Sequence, residues 1–182
     1  VNIGIEDLNF PVLACSGWLY IEGYMVTDCA RTEVALAAMQ FAKKHGVKTS
    51  LSLSDPFVVK IFLQRMCRVI DDGLSLLFCN LDEVRSFTKT RTLAAAAQAL
   101  KSVAKIFVIT CGADGSLTSD GRQMIHTPGL ATRVIDTNGA GDMFAGAFLY
   151  AISCGHDYAW AAGFANAAAS RMVSQFSTRF EV

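Results

Sequence analysis

The sequence predicts an α/β fold, in which helices cover both faces of a mostly parallel β-sheet. Predicted strands and helices alternate along the chain, which is the order that parallel pairing with right-handed crossovers requires. Apolar residues make up 52% of the 182 residues and charged residues only 18%, a bias typical of a sheet that is buried on both faces. No internal repeat, low-complexity tract or charged linker interrupts the pattern. We therefore expect a single domain over residues 1–182.

Short apolar runs bounded by turn residues predict the strands of the sheet. They cover residues 12–20, 49–53, 74–79 and 106–110. Asp120 and Gly121 lie between two further runs, at 117–118 and 123–126, and an Asp-Gly pair is typical of the tight turn of a β-hairpin. We therefore expect a parallel sheet that ends in an antiparallel hairpin.

Apolar residues at helical spacing predict the helices that connect these strands. The first helix runs through Val34 and Phe41 and ends at Gly46. Asp55 and Pro56 begin the second, because aspartate caps a helix well and proline is favoured at the first helical position. The remaining helices are expected over residues 81–87, 93–100, 140–153 and 159–176.

Composition and charge exclude several classes of protein. Sixteen basic and sixteen acidic residues give a formal net charge of zero, and without a basic stripe nucleic acid is not an expected partner. The longest apolar stretch is too short to span a bilayer, so we expect no membrane partner. The six cysteines are widely spaced and include no C-x-x-C pair. This pattern predicts buried thiols in a reducing cytoplasm, without a zinc site or a disulfide framework.

In open parallel sheets, ligands bind beyond the carboxyl ends of the strands. The residues at those ends are Asn80, the segment from Thr110 to Gly115, and the segment from Asp136 to Asp142. We therefore expect the chemistry of this protein to lie in these three places.

The segment Asp136-Thr137-Asn138-Gly139-Ala140-Gly141-Asp142 leads directly into an apolar helix. Its small residues allow the backbone to approach a ligand closely, and the N–H groups and dipole of the helix start favour an anion. Asp142 lies at the head of the helix, where it could accept the proton of an incoming hydroxyl. Phosphoryl transfer suits such a weak base, because its loose transition state needs proton removal only late. The alternative is a glycine-rich helix cap that binds nothing.

This motif, D-T-x-G-A-G-D followed by a helix of small residues, resembles the C-terminal signature of the ribokinase/PfkB carbohydrate and purine kinases. The resemblance implies a ribokinase-like large domain that transfers a phosphoryl group from ATP, with Mg²⁺, to a primary hydroxyl of a nucleoside or sugar. It also implies that Asp142 is the catalytic base and that the amides of Gly139, Ala140 and Gly141 form an anion hole. Two upstream segments, residues 20–24 and 52–57, resemble the adenosine-kinase-like branch, which implies an adenosine-like acceptor.

Two further motifs match the family in the expected order. Asn80 and Glu83 fit its N-x-x-E motif, which implies that they organise Mg²⁺ and phosphate, with Glu83 reaching the metal through water. Thr110, Gly112 and Gly115 fit its T-x-G-x-x-G loop, which implies that they face the ATP phosphates. By themselves the same residues would also suit a helix cap and a simple turn into the hairpin.

The resemblance implies two weaker assignments near the end of the chain. Asn166, in the last helix, corresponds to a position near the adenine, although close helix–sheet packing with Asn166 on the surface is the alternative. Many relatives bind a monovalent cation beside the D-T-x segment, which would place K⁺ near Asp136 and Asn138. They usually carry a Gly-Ala turn where this chain has the run from Phe176 to Arg179, so K⁺ dependence stays open.

The resemblance covers nearly all of the chain but only the later part of the family pattern. The family's first strands, its small β lid and much of its acceptor pocket have no counterpart before Val1. We therefore interpret the chain as the nucleotide-binding and catalytic half of a longer protein. The resemblance implies that the longer protein forms a homodimer through the lid. A non-catalytic nucleotide-binding fragment or degenerate kinase is the alternative hypothesis. A dinucleotide-binding fold is disfavoured, because no G-x-G-x-x-G motif follows a strand.

Overall fold

The computed structural model describes residues 3–71 and 73–176. The strands form one sheet in the order β1-β2-β3-β4-β5-β6, which confirms the α/β prediction. The strands are β1 (Trp18–Glu22), β2 (Lys48–Ser52), β3 (Leu76–Asn80), β4 (Phe107–Thr110), β5 (Ser116–Ser119) and β6 (Met124–Thr127). The helices are α1 (Phe10–Ala14), α2 (Cys29–Lys44), α3 (Pro56–Asp71), α4 (Leu81–Thr88), α5 (Leu93–Leu100), α6 (Ala140–Ser153) and α7 (Tyr158–Val173). The chain comprises two compact units, residues 1–107 and residues 108–182.

In the first unit, β1, β2 and β3 pair in parallel. Glu22 lies opposite Ser52, and Ser52 lies opposite Phe78, so the three strands end at the same edge. Leu51 and Leu77 are fully buried, as expected for strands that are covered on both faces. The carboxyl ends of β1, β2 and β3 therefore present their following residues side by side.

The second helix of the prediction, α3, begins where its capping signal indicated. The Asp55 Oδ1 atom accepts hydrogen bonds from the N–H groups of Phe57 and Val58, at 2.6 and 3.2 Å. Pro56 occupies the first helical position, where a missing N–H costs nothing. The local capping chemistry was sufficient to predict this boundary.

The prediction of one strand over residues 12–20 is wrong in its first half. Asn9 caps helix α1, because its side chain accepts a hydrogen bond from the Val12 N–H at 3.1 Å, and Pro11 lies in the first turn. The strand β1 begins only at Trp18. Val12 is 61% exposed, so its apolar character did not indicate a buried strand.

The prediction that the cysteines are buried is also largely wrong. Cys79 is buried and Cys67 and Cys111 are half-buried, but Cys15, Cys29 and Cys154 are exposed. No disulfide joins them in the described part of the chain. Within the described residues, no helix is both long enough and apolar enough to cross a membrane.

In the second unit, β5 and β6 form the predicted hairpin. Ser116 lies opposite Thr127 and Ser119 opposite Met124. Asp120 stabilises the turn, because its Oδ1 atom accepts from the N–H groups of Arg122 and Gln123 at 2.7 and 2.8 Å. Helices α6 and α7 follow, and residues 128–139, between β6 and α6, form no regular helix or strand.

Gly23, the residue after β1, lies against the backbone that follows β2. A methyl group there would lie 2.7 Å from the carbonyl oxygens of Ser52 and Leu53, which are fixed backbone atoms. We expect Gly23→Ala to lower the free energy of unfolding by about 1–3 kcal/mol, as overpacking typically does, in urea denaturation. Gly17→Ala is the matched control, since a methyl group at Gly17 meets no described atom within 4 Å. Equal losses in the two variants would contradict this account.

Candidate functional site

Asn80 and Glu83 form a reciprocal cap at the start of α4. The Asn80 Oδ1 atom accepts from the N–H groups of Asp82 and Glu83, at 3.0 and 2.8 Å. In return, the Asn80 backbone N–H and side-chain amide donate to the two carboxylate oxygens of Glu83, at 2.8 and 2.7 Å. The capping alternative is therefore correct as a description of the local structure. The same bonds fix the Glu83 carboxylate in one orientation, as a functional role would also need.

The Glu83 carboxyl is strongly perturbed by its surroundings. Its residue is only 5% exposed, and this burial raises the pKa of Glu83 from 4.5 to about 7. The hydrogen bond from the Asn80 backbone lowers this pKa, while the negative charges of Asp55, Glu22 and Asp82 raise it further. Several carboxylates therefore lie close enough to repel one another at the carboxyl ends of β1, β2 and β3.

Ser54 links the ends of β1 and β2. Its hydroxyl donates to the Glu22 Oε2 atom at 2.7 Å and accepts from the Gly23 N–H at 2.7 Å. The backbone of Ser54 has φ of 66°, in the left-handed region that costs a non-glycine residue about 1 kcal/mol or more. The two hydrogen bonds offset that cost, and they hold the Glu22 carboxylate in place.

The oxygen-rich side chains at this edge suit a hard cation such as Mg²⁺ better than a soft metal. Within the described residues, no three His, Cys, Asp or Glu side chains are close enough to hold a metal ion together. Both oxygens of Glu83 already accept from Asn80. The residues therefore fit a Mg²⁺ ion whose ligands are mainly water and a ligand's oxygens, and they do not fit a cage built by protein alone.

In the second unit, the segment from Thr110 to Gly115 forms a tight loop after β4. The Cys111 N–H donates to the Gly115 carbonyl oxygen at 2.7 Å. The Gly115 N–H donates to the Gly112 carbonyl oxygen at 3.1 Å. Gly112 and Gly115 have φ of 59° and 89°, values that favour glycine. The expected turn is present, and Gly112 lies exposed at its tip.

The segment that precedes α6 is held at both ends. The backbone N–H groups of Ile135 and Asp136 donate to the Val173 carbonyl oxygen at the end of α7, at 2.7 and 3.2 Å. The Asp136 Oδ1 atom accepts from the Asn138 N–H at 3.0 Å, which forms a turn that leads to Gly139. These hydrogen bonds fix the direction in which the chain enters the first turn of α6.

The start of α6 carries the residues predicted for catalysis. Gly139 caps the helix with φ of 75°, in the left-handed region that glycine tolerates. The Ala140 N–H donates to the Thr137 carbonyl oxygen at 3.2 Å, so it is already engaged in this conformation. The Gly141 N–H belongs to the first helical turn, where such groups have no acceptor within the helix. Asp142 lies in the same turn and is exposed.

Asn166 is buried, being 7% exposed, so the alternative that placed it on the surface is wrong. Its side-chain nitrogen donates to the carbonyl oxygens of Thr127 and Pro128, both at 3.1 Å. Its expected position near an adenine stays a prediction. K⁺ was expected near Asp136 and Asn138, and the run from Phe176 to Arg179 that left it open lies outside the described residues after Phe176. The K⁺ expectation therefore also stays a prediction.

Sequence reasoning missed several residues of these sites. Glu22 is the last residue of β1, and Asp55 lies shortly after the end of β2 at Ser52. The rule on strand ends that identified Asn80 would therefore have found them as well. Gly129 was missed because a Pro-Gly pair indicates only a turn, whereas in the structure a methyl group at Gly129 would overlap the Ala113 carbonyl oxygen in the loop after β4. The local sequence carries no signal for that contact.

Comparison with known proteins identifies relatives over nearly the whole chain. The family model described as pfkB family carbohydrate kinase matches residues 5–182. The adenosine kinase of Schizosaccharomyces pombe is 32% identical over 179 residues, which cover 87% of this chain and 52% of that protein. The 5-dehydro-2-deoxygluconokinase of Bacillus subtilis is 27% identical over 187 residues, covering 95% of this chain and 55% of that protein. The chain thus spans about half the length of the curated relatives it matches.

A solved structure also resembles this chain in its fold. The crystal structure of adenosine kinase from Sinorhizobium meliloti matches with a TM-score of 0.95 and 27% sequence identity. The match covers 100% of this chain and 56% of that one.

The raised pKa of Glu83 predicts a pH dependence of stability. In the unfolded chain this carboxyl has its ordinary pKa of 4.5, whereas folding raises the pKa to about 7. Its contribution to stability is therefore complete below the lower pKa and is lost as the pH rises through the higher one. Between about pH 5 and about pH 8, we expect the free energy of unfolding to fall by about 2 kcal/mol more in the wild type than in Glu83→Gln.

Urea denaturation at the two pH values measures this difference. Glu33→Gln is the control, because Glu33 is an exposed glutamate that pairs with Arg68, and this variant should follow the wild type. Parallel pH curves for the wild type and Glu83→Gln would show that the Glu83 carboxyl is not perturbed.

Proposed function

Because this chain belongs to the pfkB family of carbohydrate kinases, we propose that it is the nucleotide-binding and catalytic part of a kinase. The reaction is transfer of a phosphoryl group from ATP to a primary hydroxyl of a nucleoside, adenosine-like, or of a sugar. The observation that carries the proposal is the position of Asp142, exposed in the first turn of α6 directly after the left-handed Gly139. The adenosine kinases among the relatives favour a nucleoside, and the 5-dehydro-2-deoxygluconokinase keeps a sugar open.

Asp142 acts as the general base. The positive end of the α6 dipole favours an ionised carboxylate in the first turn, so Asp142 is ready to accept a proton at neutral pH. As the acceptor oxygen attacks the γ-phosphorus, its proton passes to the Asp142 carboxylate and ADP leaves. A weak base is sufficient, because the transition state of phosphoryl transfer is loose.

The start of α6 also stabilises the charge of the transferring group. The Gly141 N–H and the other amides of the first turn point out of the helix end, where an anion is favoured. Gly139 has no side chain to block a close approach. The Ala140 N–H joins this anion hole only after releasing the Thr137 carbonyl oxygen, from which it lies 3.2 Å in this conformation.

Asn80 and Glu83 organise Mg²⁺ through water. When bound, Mg²⁺ supplies positive charge that neutralises the phosphate oxygens of ATP. The reciprocal cap fixes the orientation of the Glu83 carboxylate, so that its water-mediated contacts have a defined direction. Positive charge nearby also favours the ionised form of Glu83 against its carboxylate neighbours. A K⁺ ion near Asp136 and Asn138 belongs to the same proposal.

The loop from Thr110 to Gly115 faces the ATP phosphates. Its exposed tip at Gly112 carries no side chain, so the backbone can approach a phosphate closely. Internal hydrogen bonds between Cys111, Gly112 and Gly115 keep this loop compact before any ligand arrives. A preformed loop binds at a lower cost in conformational entropy than one that must first be ordered.

The decisive test is Asp142→Asn in the complete gene product, assayed with Mg·ATP against a panel of nucleosides and sugars. Loss of the general base should lower kcat by a factor on the order of 10²–10⁴. Binding of ATP should change little, because the base acts on the acceptor hydroxyl. Asp71→Asn is the control, since Asp71 is an exposed acid at the end of α3.

Near-normal kcat in Asp142→Asn would refute the role of Asp142. A wild-type protein that binds ATP and phosphorylates no acceptor would favour the non-catalytic nucleotide-binding alternative instead.

A further inference from the structure

The loop at 111–115 lies in close contact with another piece of backbone. A methyl group added to Gly115 would overlap the Thr127 carbonyl oxygen and the Gly129 nitrogen, and one added to Gly129 would overlap the Ala113 carbonyl oxygen. Two glycines thus allow the loop at 111–115 and the segment at 127–129 to lie in direct backbone contact. Because the two backbones are in direct contact, we expect a displacement of one segment to move the other.

The segment at 127–129 is held in turn by α7. The Asn166 side-chain nitrogen has two hydrogens, and both are directed to carbonyl oxygens, those of Thr127 and Pro128, at 3.1 Å each. One turn later along α7, the Ser170 hydroxyl donates to the Leu130 carbonyl oxygen at 3.3 Å. Asn166 therefore fixes the part of the segment that contacts the loop, and Ser170 fixes the part beyond it.

The hairpin supplies a second connection to the same loop. The His126 Nε2 atom lies 3.1 Å from the Asp114 carbonyl oxygen, which can only accept, so the tautomer with a proton on Nε2 makes this bond. His126 immediately precedes Thr127 in β6. The loop is thus tied to residues 126–129 at Asp114 by a hydrogen bond and at Gly115 by backbone packing.

We propose that Asn166 and Gly129 are positioning residues for ATP, which hold the loop at Gly112–Gly115 in its phosphate-binding shape without contacting the nucleotide themselves. This inference rests on the proposed role of the loop in ATP binding. Both hydrogens of the Asn166 amide are directed to the carbonyl oxygens of Thr127 and Pro128, so these donors act on the segment that contacts the loop and not on the nucleotide.

Direct contact with adenine and positioning of the phosphate loop predict different ligand dependences. Inorganic tripolyphosphate has the phosphates of ATP but no base. If Asn166 positions the loop, Asn166→Ala should weaken ATP and tripolyphosphate to the same extent, by about tenfold, since small displacements of binding groups are costly. If it contacts adenine, only ATP should weaken.

The experiment measures the Kd of both ligands by calorimetry, and KM and kcat for ATP, in the complete gene product. Asn166→Ala and Gly129→Ala should each raise KM for ATP while kcat and KM for the acceptor stay within about threefold. The double variant should be no weaker than the worse single variant, because both changes act on one loop. Asn166→Gln, which keeps the amide donor, should recover part of the affinity.

Two matched controls separate positioning from general damage to α7. Ser170→Ala removes a bond from the same helix to Leu130, outside the loop contact, and Gly163→Ala adds a methyl group no closer than 4.0 Å to Thr127. Both should leave the Kd values unchanged. Equal weakening in the controls and in Asn166→Ala would overturn the inference, as would an effect on ATP alone.

Hydrogen exchange of the wild-type protein provides a measurement that needs no variant. Tripolyphosphate should protect the amides of residues 111–115 together with those of Thr127, Gly129 and Leu130, since the two segments form one unit. Protection of the loop without the second segment would refute the coupling. A wild-type protein that binds neither ATP nor tripolyphosphate would refute the proposed function, and with it this inference.

Discussion

The geometry of the second unit depends on hydrogen bonds between helix α7 and an irregular segment. Residues 128–139 form no regular helix or strand, so their backbone polar groups need partners from elsewhere. Helix α7 supplies these through Asn166, Ser170 and the Val173 carbonyl oxygen. The anchored segment begins beside the loop at 111–115 and ends at the turn that leads into Asp142. Helix α7 therefore sets the position of both the loop and the turn.

In the first unit, the constraint concerns the negative charge of three carboxyl groups. Parallel pairing brings Glu22, Asp55 and Glu83 to one edge of the sheet, where their mutual repulsion and the burial of Glu83 oppose ionisation. The hydrogen bonds from Asn80 and Ser54 fix the carboxylates of Glu83 and Glu22 in orientation, as the proposed role in organising Mg²⁺ requires.

Much of this structure could be predicted because its signals are local. The Asp55-Pro56 cap, the Asp120-Gly121 turn and the bounds of α5 and α6 each depend on residues within one turn of the element. The prediction failed at residues 12–17, where an apolar run preceded by a capping asparagine forms a short helix. Burial was the least predictable property, since three of the six cysteines are exposed although all were expected to be buried.

The sequence by itself determined the α/β fold, the family and the residues of the D-T-x-G-A-G-D motif, because these depend on residue type and short-range spacing. Only the tertiary structure decided what Asn166 binds, why Gly129 has no side chain and which carboxylates surround Glu83. Asn166 and Thr127 are 39 residues apart in the chain, and no local pattern encodes such a contact. Side chains that act through the backbone of a distant loop become recognisable only once packing has brought the two segments together.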